Sequence, residues 1–379
     1  METRNCRTNR FTLFLAILFS CQIIIPQAQA AMINAASCSQ ADVQAAINSA
    51  GNGDTITVPA GNCNWSGTIN INKQRLTIQG AGVGQTIITS SGQLMSTAGE
   101  SANNLRVTAI EFRDCTQCFY FDGSESPKEA TKNFRIDHCK FKNVYIGFET
   151  DGRATGVLDH NTFEDSYGAR IYGSNDAGAS FPFTLGTSDS VYFEDNTITV
   201  SAGASPAHFI ASNSGSRYVI RHNNFTYVPS LWGIIDAHGY CEVAGRGSFT
   251  WEVYDNTFTI PSGLEKVMQF RGGQGVVFNN TINTGTWPVV LTDYMTCSPP
   301  CVSTCSGYPC QDQVNHAYFW NNKKGGTLFD PTDDCDQVIQ LNRDYFTTAM
   351  PGYTPYTYPH PLVGGADSPP SVPQNIRMR

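Results

Sequence analysis

The sequence predicts an all-β solenoid, in which short strands stack coil upon coil, and a repeated pattern carries this prediction. Each copy is a β-branched and aromatic run, a polar pair that usually ends in Asn, one small residue or Thr, and then Phe or Ile. The copies lie at 134–141, 157–163, 191–198, 218–225, 251–258 and 276–282, with a weaker one at 317–323. Their closing Phe or Ile residues are 22 to 35 positions apart. That spacing is typical of solenoid coils with insertions.

The repeated residue types give the coil a physical logic. Asn tolerates the left-handed backbone that a sharp bend between two strands demands, and stacked Asn amides hydrogen-bond along a column. The expected Asn column consists of Asn161, Asn196, Asn223, Asn256, Asn280 and Asn322. The expected interior stack consists of Phe141, Phe163, Ile198, Phe225, Phe258 and Ile282. Cys139 takes the Asn position in the first copy, so we expect a buried thiol there.

The first 30 residues have the pattern of a secretory signal peptide. Three arginines within the first ten residues precede an apolar run from Phe11 to Ile25, and a small-x-small cleavage site ends at Ala30. The apolar run is too short to favour a permanent transmembrane anchor. We therefore predict a secreted protein, extracellular or periplasmic, without a membrane span.

Composition limits the partners. Removal of 1–30 takes away 3 of 24 basic and 1 of 32 acidic residues, which leaves 21 against 31 and a formal net charge of −10. An acidic chain without a basic stripe argues against a nucleic acid partner. An acidic polysaccharide remains compatible, because a local basic patch or a bridging cation would meet its charge. We also expect a monomer.

Cysteine usage agrees with export. Eleven of the 13 Cys residues lie beyond residue 30, and an exported chain is able to form disulfides. Cys38 and Cys63 bracket the N-terminal cap and are predicted to pair. Four more crowd a Pro/Ser-rich insertion, namely Cys297, Cys301, Cys305 and Cys310. Their irregular spacing favours disulfides over the alternative of a zinc site.

The two ends of the solenoid have their own signals. Ala41–Ser49 is predicted to form an amphipathic helix that covers the strand edges at the open end. The Tyr- and Pro-rich segment 344–362 is predicted to pack along the solenoid or to cap its far end, and the stretch after it reads as a linker. The predicted organisation is a signal peptide at 1–30, one solenoid domain at 31–362 and a linker-like tail at 363–379.

Two features resemble the pectate-lyase superfamily of right-handed parallel β-helices. They are the stretch ADVQAAINSAGNGDTITVPAG at 41–61 and the Asn-turn repeats. The resemblance covers nearly all of the chain after residue 30 and implies a single right-handed parallel β-helix with an N-terminal capping helix. It leaves the activity open, because this scaffold hosts lyases, hydrolases, epimerases and phage adhesins.

A shorter stretch is similar to one motif of pectate lyases. NFRIDHCKF at 133–141 matches their Asn-x-Trp-Ile-Asp-His-Cys signature, so the Asp-His pair of that family corresponds to Asp137 and His138. Arg135 stands in place of the usual Trp, and the Arg-x-x-Pro-x-x-Arg segment of that family is absent. The similarity therefore implies kinship at the level of the superfamily. His138 shares its repeat position with two further histidines, for which stacking in a turn column is favoured over metal binding.

A third strand in each coil carries most of the candidate chemistry. Alternation along these strands sends one set of side chains inside and the other to an outer groove. The expected outward set is Tyr120, Asp122, Tyr145, Glu149, Asp151, Arg170, Tyr172, His208, Asp236, His238, Gln269, Arg271 and Thr292. Adjacent coils lie about 4.8 Å apart, so residues two coils apart are able to grip one sugar unit. The alternative is a solvated, salt-bridged sheet face.

These residue types suit β-elimination from a uronic acid, in which a cation neutralises the carboxylate and a base removes the C5 proton. We predict that His238 or Arg271 is the base. Asp236 either orients His238 or joins Glu149 and Asp151 in holding Ca²⁺. The residues predicted to bind the polysaccharide are Arg170, Tyr172, His208 and Tyr240. Two alternatives stay open: glycoside hydrolysis by a carboxylate pair, and a non-catalytic carbohydrate-binding or adhesion solenoid.

A calcium ion is the predicted cofactor. Glu149 and Asp151 lie two residues apart on one predicted strand, so both carboxylates face the same side, and Asp122 lies one coil earlier. Three oxygen ligands suit Ca²⁺ better than Zn²⁺, which prefers nitrogen and sulfur. The alternative is that Arg153 or Arg170 neutralises these carboxylates without a metal.

Overall fold

The predicted right-handed parallel β-helix is confirmed by three long sheets, which each coil crosses in turn. The computed structural model describes residues 30–123, 128–174, 179, 182–204, 208–227, 233–239, 246–260, 266–283, 287–292, 308–309, 311–334 and 338–364. These residues contain 33 strands, numbered β1 to β33 in chain order. Within the described part of the chain, every strand pair is parallel except β30 with β31.

The strands divide among the sheets as follows. Sheet 1 consists of β1 (Met32–Asn34), β2 (Thr55–Val58), β5 (Thr77–Gly80), β8 (Arg106–Thr108), β11 (Glu129–Asp137), β14 (Arg153–Asp159), β17 (Val191–Glu194), β20 (Arg217–Arg221), β23 (Thr250–Tyr254), β26 (Gln274–Phe278), β29 (Ala317–Trp320) and β33 (Tyr345–Phe346). Sheet 2 consists of β3 (Gly61–Asn64), β6 (Thr86–Thr89), β9 (Glu111–Arg113), β12 (Lys140–Lys142), β15 (Thr162–Glu164), β18 (Thr197–Val200), β21 (Asn224–Tyr227), β24 (Thr257–Thr259), β27 (Thr281–Ile282), β30 (Lys323–Lys324) and β31 (Thr327–Leu328). Sheet 3 consists of β4 (Ile69–Ile71), β7 (Gln93–Ala98), β10 (Gln117–Asp122), β13 (Phe148–Asp151), β16 (Ala169–Tyr172), β19 (Ile210–Asn213), β22 (Ile235–Ala237), β25 (Lys266–Phe270), β28 (Trp287–Leu291) and β32 (Thr332–Asp333).

The predicted Asn column lies buried at the bend between sheets 1 and 2. From Asn161 to Asn280, each side-chain Nδ2 donates to Oδ1 of the next Asn at 2.9 to 3.1 Å. The same Oδ1 accepts the backbone N–H of the preceding Asn. The N–H of Cys139 donates to Oδ1 of Asn161, so this buried free thiol begins the column as expected.

The residue that adopts the left-handed backbone differs from the prediction. Positive φ, between 51° and 57°, is found at the residue before each column position, namely at His138, His160, Asp195, His222, Asp255, Asn279 and Asn321. The preceding residue makes the bend, which leaves the Asn side chain directed along the column. The predicted stacking role of the histidines is supported by His138 and His160, whose rings lie 5.3 Å apart and nearly parallel.

Replacing Asn256 with Ala is expected to lower the free energy of unfolding by roughly 1–3 kcal/mol, because the change leaves buried partners unsatisfied. Nδ2 of Asn256 donates to the carbonyl oxygens of Ile220 and Tyr254 as well as to Asn280. Denaturant unfolding of the variant and the wild type measures the loss. Asn321, one position before the column, gives the control. Its amide donates only an exposed hydrogen bond, to Asn279, so Asn321→Asp is expected to change stability little. Equal loss in both variants would contradict a special role for the column.

The interior is filled by stacked aromatic and aliphatic side chains. Phe141 stacks on Phe163, and Phe225 stacks on Phe258, each with ring centroids 4.6 Å apart. These contacts confirm the predicted parallel stack behind the Asn column. Ile198, between them in the register of sheet 2, is fully buried.

The N-terminal cap is confirmed with a small change of boundary. Helix α1 (Gln40–Ser49) begins one residue earlier than expected, where the side chain of Ser39 accepts the N–H of Asp42. The predicted Cys38–Cys63 disulfide is present. A second disulfide, Cys115–Cys118, was not anticipated. The cluster of four Cys residues, from Cys297 to Cys310, and the predicted signal peptide up to residue 29 lie outside the described residues.

Residues 350–364, here called the C-terminal segment, pack along the outer face of sheet 1. The N–H of His360 donates to Glu194, and the Tyr353 hydroxyl donates to Glu252. Val363 is buried beside this face, so the packed chain extends slightly past the predicted domain end at 362. The prediction that the Tyr- and Pro-rich segment packs along the solenoid is therefore confirmed. The described residues also contain a short 3-10 helix, Gly99–Ala102. Among these residues, no helix is long and apolar enough to cross a membrane.

Candidate active site

The outer face of sheet 3 holds the candidate residues in register columns. Arg170 on β16 pairs with Glu149 on β13 and with Ala211 on β19, and Ala211 pairs in turn with Asp236 on β22. Arg170 and Asp236 are therefore two coils apart in one column, at about 4.8 Å per coil. Tyr172 lies two positions further along β16 and so faces the same side as Arg170.

Three other candidate residues lie just before or just after strands of this sheet, and their side chains reach the same face. His208 precedes β19, His238 follows β22, and Arg271 follows β25. The prediction gave His208 an outward position within a strand. Instead, Phe209 and the residue after it both enter the core, which shifts the alternation and gives Ala211 the outward position.

Asp236 is the centre of a compact polar cluster. Arg271 donates from Nε to Oδ1 at 3.0 Å and from Nη2 to Oδ2 at 2.6 Å. Nε2 of His208 lies 3.5 Å from Oδ2, and Nε2 of His238 lies 3.4 Å from the same oxygen. The sequence predicted solvent-facing side chains, but Asp236, Arg271 and His208 are only 3 to 8% exposed. The reason for the difference is that these side chains cover one another.

His208 has a defined hydrogen-bonding arrangement. Its Nδ1 lies 3.0 Å from the carbonyl oxygen of Gly233. A carbonyl oxygen only accepts hydrogen bonds, so Nδ1 carries a proton, and in the neutral ring Nε2 presents its lone pair towards Asp236. Burial lowers the pKa of His208, although the Asp236 carboxylate acts in the opposite direction. His208 is therefore disposed to be neutral near pH 7.

An open cleft of about 620 Å³ lies beside this cluster. It brings together four of the predicted site residues, Arg170, Tyr172, His208 and His238, which belong to neighbouring coils. The other lining residues are Asn143, Val144, Tyr145, Asp165, Tyr167, Ala204 and Ala211. The cleft therefore combines a guanidinium group, two imidazoles and three phenols, a composition suited to a charged sugar.

Arg170 is held between aromatic rings at the cleft wall. Its guanidinium carbon lies 5.3 Å from the ring centroid of Tyr145 and 5.6 Å from that of Tyr167, and Nη2 donates to the Tyr145 hydroxyl at 3.1 Å. Partial burial opposes its charge, but Tyr172, Tyr167 and Glu149 raise the pKa of Arg170. The cleft therefore contains a permanent cation. Tyr145 is 59% exposed, so its ring offers a free face to a ligand.

The three carboxylates predicted to bind calcium do not converge. Asp122 on β10 and Asp151 on β13 are register partners, whereas the register partner of Glu149 on β16 is Arg170. Gln117 donates to Glu149 at 2.7 Å, and burial raises the pKa of Glu149. Among the described residues, one group of three His, Cys or acidic side chains has all its possible ligand atoms within 4.8 Å of one another. That group does not include Asp122, Glu149 or Asp151. A three-carboxylate site is therefore not formed in this structure.

Sequence reasoning missed part of the cleft. Tyr167, Asn143 and Asp165 lie in or beside turns rather than in the strands whose alternation guided the prediction. The aromatic residue of the Asp-Ser-Tyr-Gly turn, Tyr167, was the available signal. The remaining predicted ligand, Tyr240, lies outside the described residues.

Comparisons with known proteins give similarity of fold. No family model and no curated protein sequence matches the chain. One similar solved structure is the catalytic unit of a thermostable GH87 α-1,3-glucanase from Streptomyces thermodiastaticus strain HF3-3, with 14% identity, a TM-score of 0.47 and 83% of this chain covered. A second is the PL6 family alginate lyase AlyGC, with 14% identity, a TM-score of 0.48 and 80% of this chain covered.

A third similar structure is a mannuronic acid specific polysaccharide family 6 lyase from human gut microbiota, with 15% identity, a TM-score of 0.45 and coverage of 84% of this chain and 76% of that one. This chain spans 66% of the glucanase catalytic unit and 40% of AlyGC, less than two thirds of either. At such identities the likeness concerns the fold alone. All three neighbours are right-handed parallel β-helix proteins of the pectin-lyase-like superfamily.

Proposed function

We propose that this chain, whose fold is the right-handed parallel β-helix of the pectin-lyase-like superfamily, is a secreted lyase that cleaves a uronic-acid-containing polysaccharide by β-elimination. The observation that carries the proposal is the cleft on sheet 3, in which Arg170 and His238 line one space and Asp236 contacts the imidazole of His238. A permanent cation and an oriented base are the two elements that this reaction needs.

In the proposed reaction, Arg170 binds the carboxylate of the uronate and stabilises the negative charge that develops when the C5 proton leaves. Oδ2 of Asp236 lies 3.4 Å from Nε2 of His238 and orients the imidazole, which accepts this proton. The C4–oxygen bond then breaks as the C4–C5 double bond forms, and the departing oxygen takes a proton from a donor, for which the phenol of Tyr172 is in the same cleft.

Arg271 has a positioning role in this proposal. Its guanidinium is buried and makes two hydrogen bonds to Asp236. An ion pair of this kind favours the charged form of arginine, which makes Arg271 a poor base. His208 completes the polar wall beside His238, and the exposed ring of Tyr145 offers a surface for stacking on a sugar.

The experiment is a screen of polyuronates and neutral glucans, followed by the ultraviolet absorbance of unsaturated products and by an assay for new reducing ends. Both signals are expected from at least one uronate polymer. Reducing ends without unsaturated products would replace the lyase with a glycoside hydrolase. Saturable binding without cleavage would replace it with a carbohydrate-binding or adhesion protein.

Calcium binding remains a prediction, and no step of the reaction is derived through it. Because Asp122 and Asp151 are register partners, we expect any Ca²⁺ site to depend on these two residues. Calorimetric titration of chelator-treated protein is expected to give heat that disappears in an Asp122→Asn/Asp151→Asn variant. Glu149→Gln serves as the control and is expected to keep the heat, since Glu149 already accepts from Gln117. Identical heats for the wild type and the double variant would remove calcium from these residues.

A further inference from the structure

The cluster around Asp236 has a geometry that the lyase proposal does not require. Among the described residues, His208, Asp236 and His238 form the one group of three whose possible ligand atoms all lie within 4.8 Å of one another. The group offers two imidazole nitrogens and one carboxylate oxygen. Two His residues with one carboxylate are a ligand set of catalytic zinc sites, which keep a fourth position open.

Two of the three separations within the group match those around a tetrahedral ion. Oδ2 of Asp236 lies 3.5 Å from Nε2 of His208 and 3.4 Å from Nε2 of His238. For zinc–ligand bonds of about 2.0–2.1 Å, two ligands at the tetrahedral angle are separated by about 3.3–3.4 Å. One ion is therefore able to bind Asp236 together with either imidazole, and the two imidazole nitrogens lie within 4.8 Å of each other.

The surroundings also orient the ligands. The Gly233 carbonyl accepts from Nδ1 of His208 at 3.0 Å, which leaves Nε2 of the neutral ring free to coordinate. Arg271 binds the Asp236 carboxylate, fixes its direction and contributes a positive charge that weakens cation binding. Both His208 and His238 line the cleft, so the open fourth position would face a water molecule or a substrate oxygen.

We propose that His208, Asp236 and His238 bind one divalent transition-metal ion of the zinc type at the floor of the cleft. Nitrogen ligands favour Zn²⁺, Co²⁺ or Ni²⁺ over Ca²⁺ and Mg²⁺, which take oxygen ligands. The site is distinct from the carboxylates on β10 and β13. Since the ion coordinates His238, the metal-bound form has lost the base of the proposed reaction, and added zinc is expected to inhibit lyase turnover.

The test measures metal binding without any substrate, so it is independent of the proposed activity. Zn²⁺ is titrated by calorimetry into tag-free, chelator-treated protein, and one ion per chain is expected. His238→Asn and Asp236→Asn are each expected to weaken binding by at least about tenfold. Co²⁺ bound to the wild type is expected to show the visible absorption of a tetrahedral ion, and this absorption should disappear in His238→Asn.

The matched control is His160→Asn, which removes a partly exposed imidazole at a positive-φ position that Asn tolerates. This variant is expected to bind zinc as the wild type does. Absence of saturable binding in the wild type would overturn the proposal, as would unchanged affinity in His238→Asn. A Co²⁺ spectrum like that of the hydrated ion would do the same. Zinc binding by a protein without lyase activity would support the metal site and refute the proposed function alone.

Discussion

Replacing His238 with Asn is expected to lower the turnover of the polyuronate substrate by roughly 100- to 10,000-fold, the usual contribution of a general base. Asn keeps a polar group near Asp236 but has no nitrogen able to accept the C5 proton. His238 follows β22 outside any strand and its side chain is 20% exposed, so we expect the fold to tolerate the change. The measurement is the initial rate of unsaturated product formation, with transition metals chelated and Ca²⁺ supplied, compared with thermal unfolding of the same samples.

His160→Asn is again the matched control, because His160 lies at the bend between sheets 1 and 2, whereas the cleft opens on sheet 3. Its turnover is expected to equal that of the wild type. A His238→Asn variant that keeps turnover within about threefold would rule out His238 as the base and direct attention to the other residues of the cleft.

Replacing Arg221 with Ala is expected to lower the free energy of unfolding by about 3–5 kcal/mol, because it leaves the Glu194 carboxylate buried without its counter-ion. Both side chains are 0% exposed, and Nε of Arg221 donates to Glu194 at 2.7 Å. Two further hydrogen bonds, to the carbonyl oxygens of Tyr356 and Thr357, attach the C-terminal segment to sheet 1. Denaturant unfolding measures the loss, and limited proteolysis is expected to cut the variant first within residues 350–364.

The matched control is Lys142→Ala, since the Lys142–Glu164 ion pair is about one third exposed on both sides. Its removal is expected to cost about 0–1 kcal/mol. Equal losses in the Arg221 and Lys142 variants would show that burial does not set the energy of these pairs. A small loss for Arg221→Ala would also mean that the other contacts of the C-terminal segment, such as the hydrogen bond from Tyr353 to Glu252, are enough to hold it.

Local chemistry determined the repeat and therefore the fold. The Asn column and the Phe stack were predictable because each coil reuses the same residue types at a bend, and buried amides in register have one another as the nearest partners. The capping helix was predictable because it depends on residues close in sequence, and the Cys38–Cys63 disulfide because its two Cys residues, 25 positions apart, bracket the N-terminal cap. Alternation also identified the interior residues of sheet 3, such as Phe121 and Phe148, which are fully buried.

The candidate site was predictable only in part. Arg170, Tyr172, His208 and His238 were named from strand phase and do line one cleft. Strand phase gave no indication that His208 would lie before β19 and reach the cleft from there. The alternation shifts at Phe209, because two consecutive apolar side chains pack into the interior.

The tertiary structure alone decided which residues of different coils meet. The insertions between repeats have different lengths, so sequence spacing does not give the distance from Arg271 to Asp236 or the burial that results from their pairing. The same holds for Arg221, whose carbonyl partners in the C-terminal segment lie more than 130 residues away along the chain. A repeat fixes the hydrogen bonds between like positions, whereas contacts between unlike side chains depend on how the coils and the segments around them pack in three dimensions.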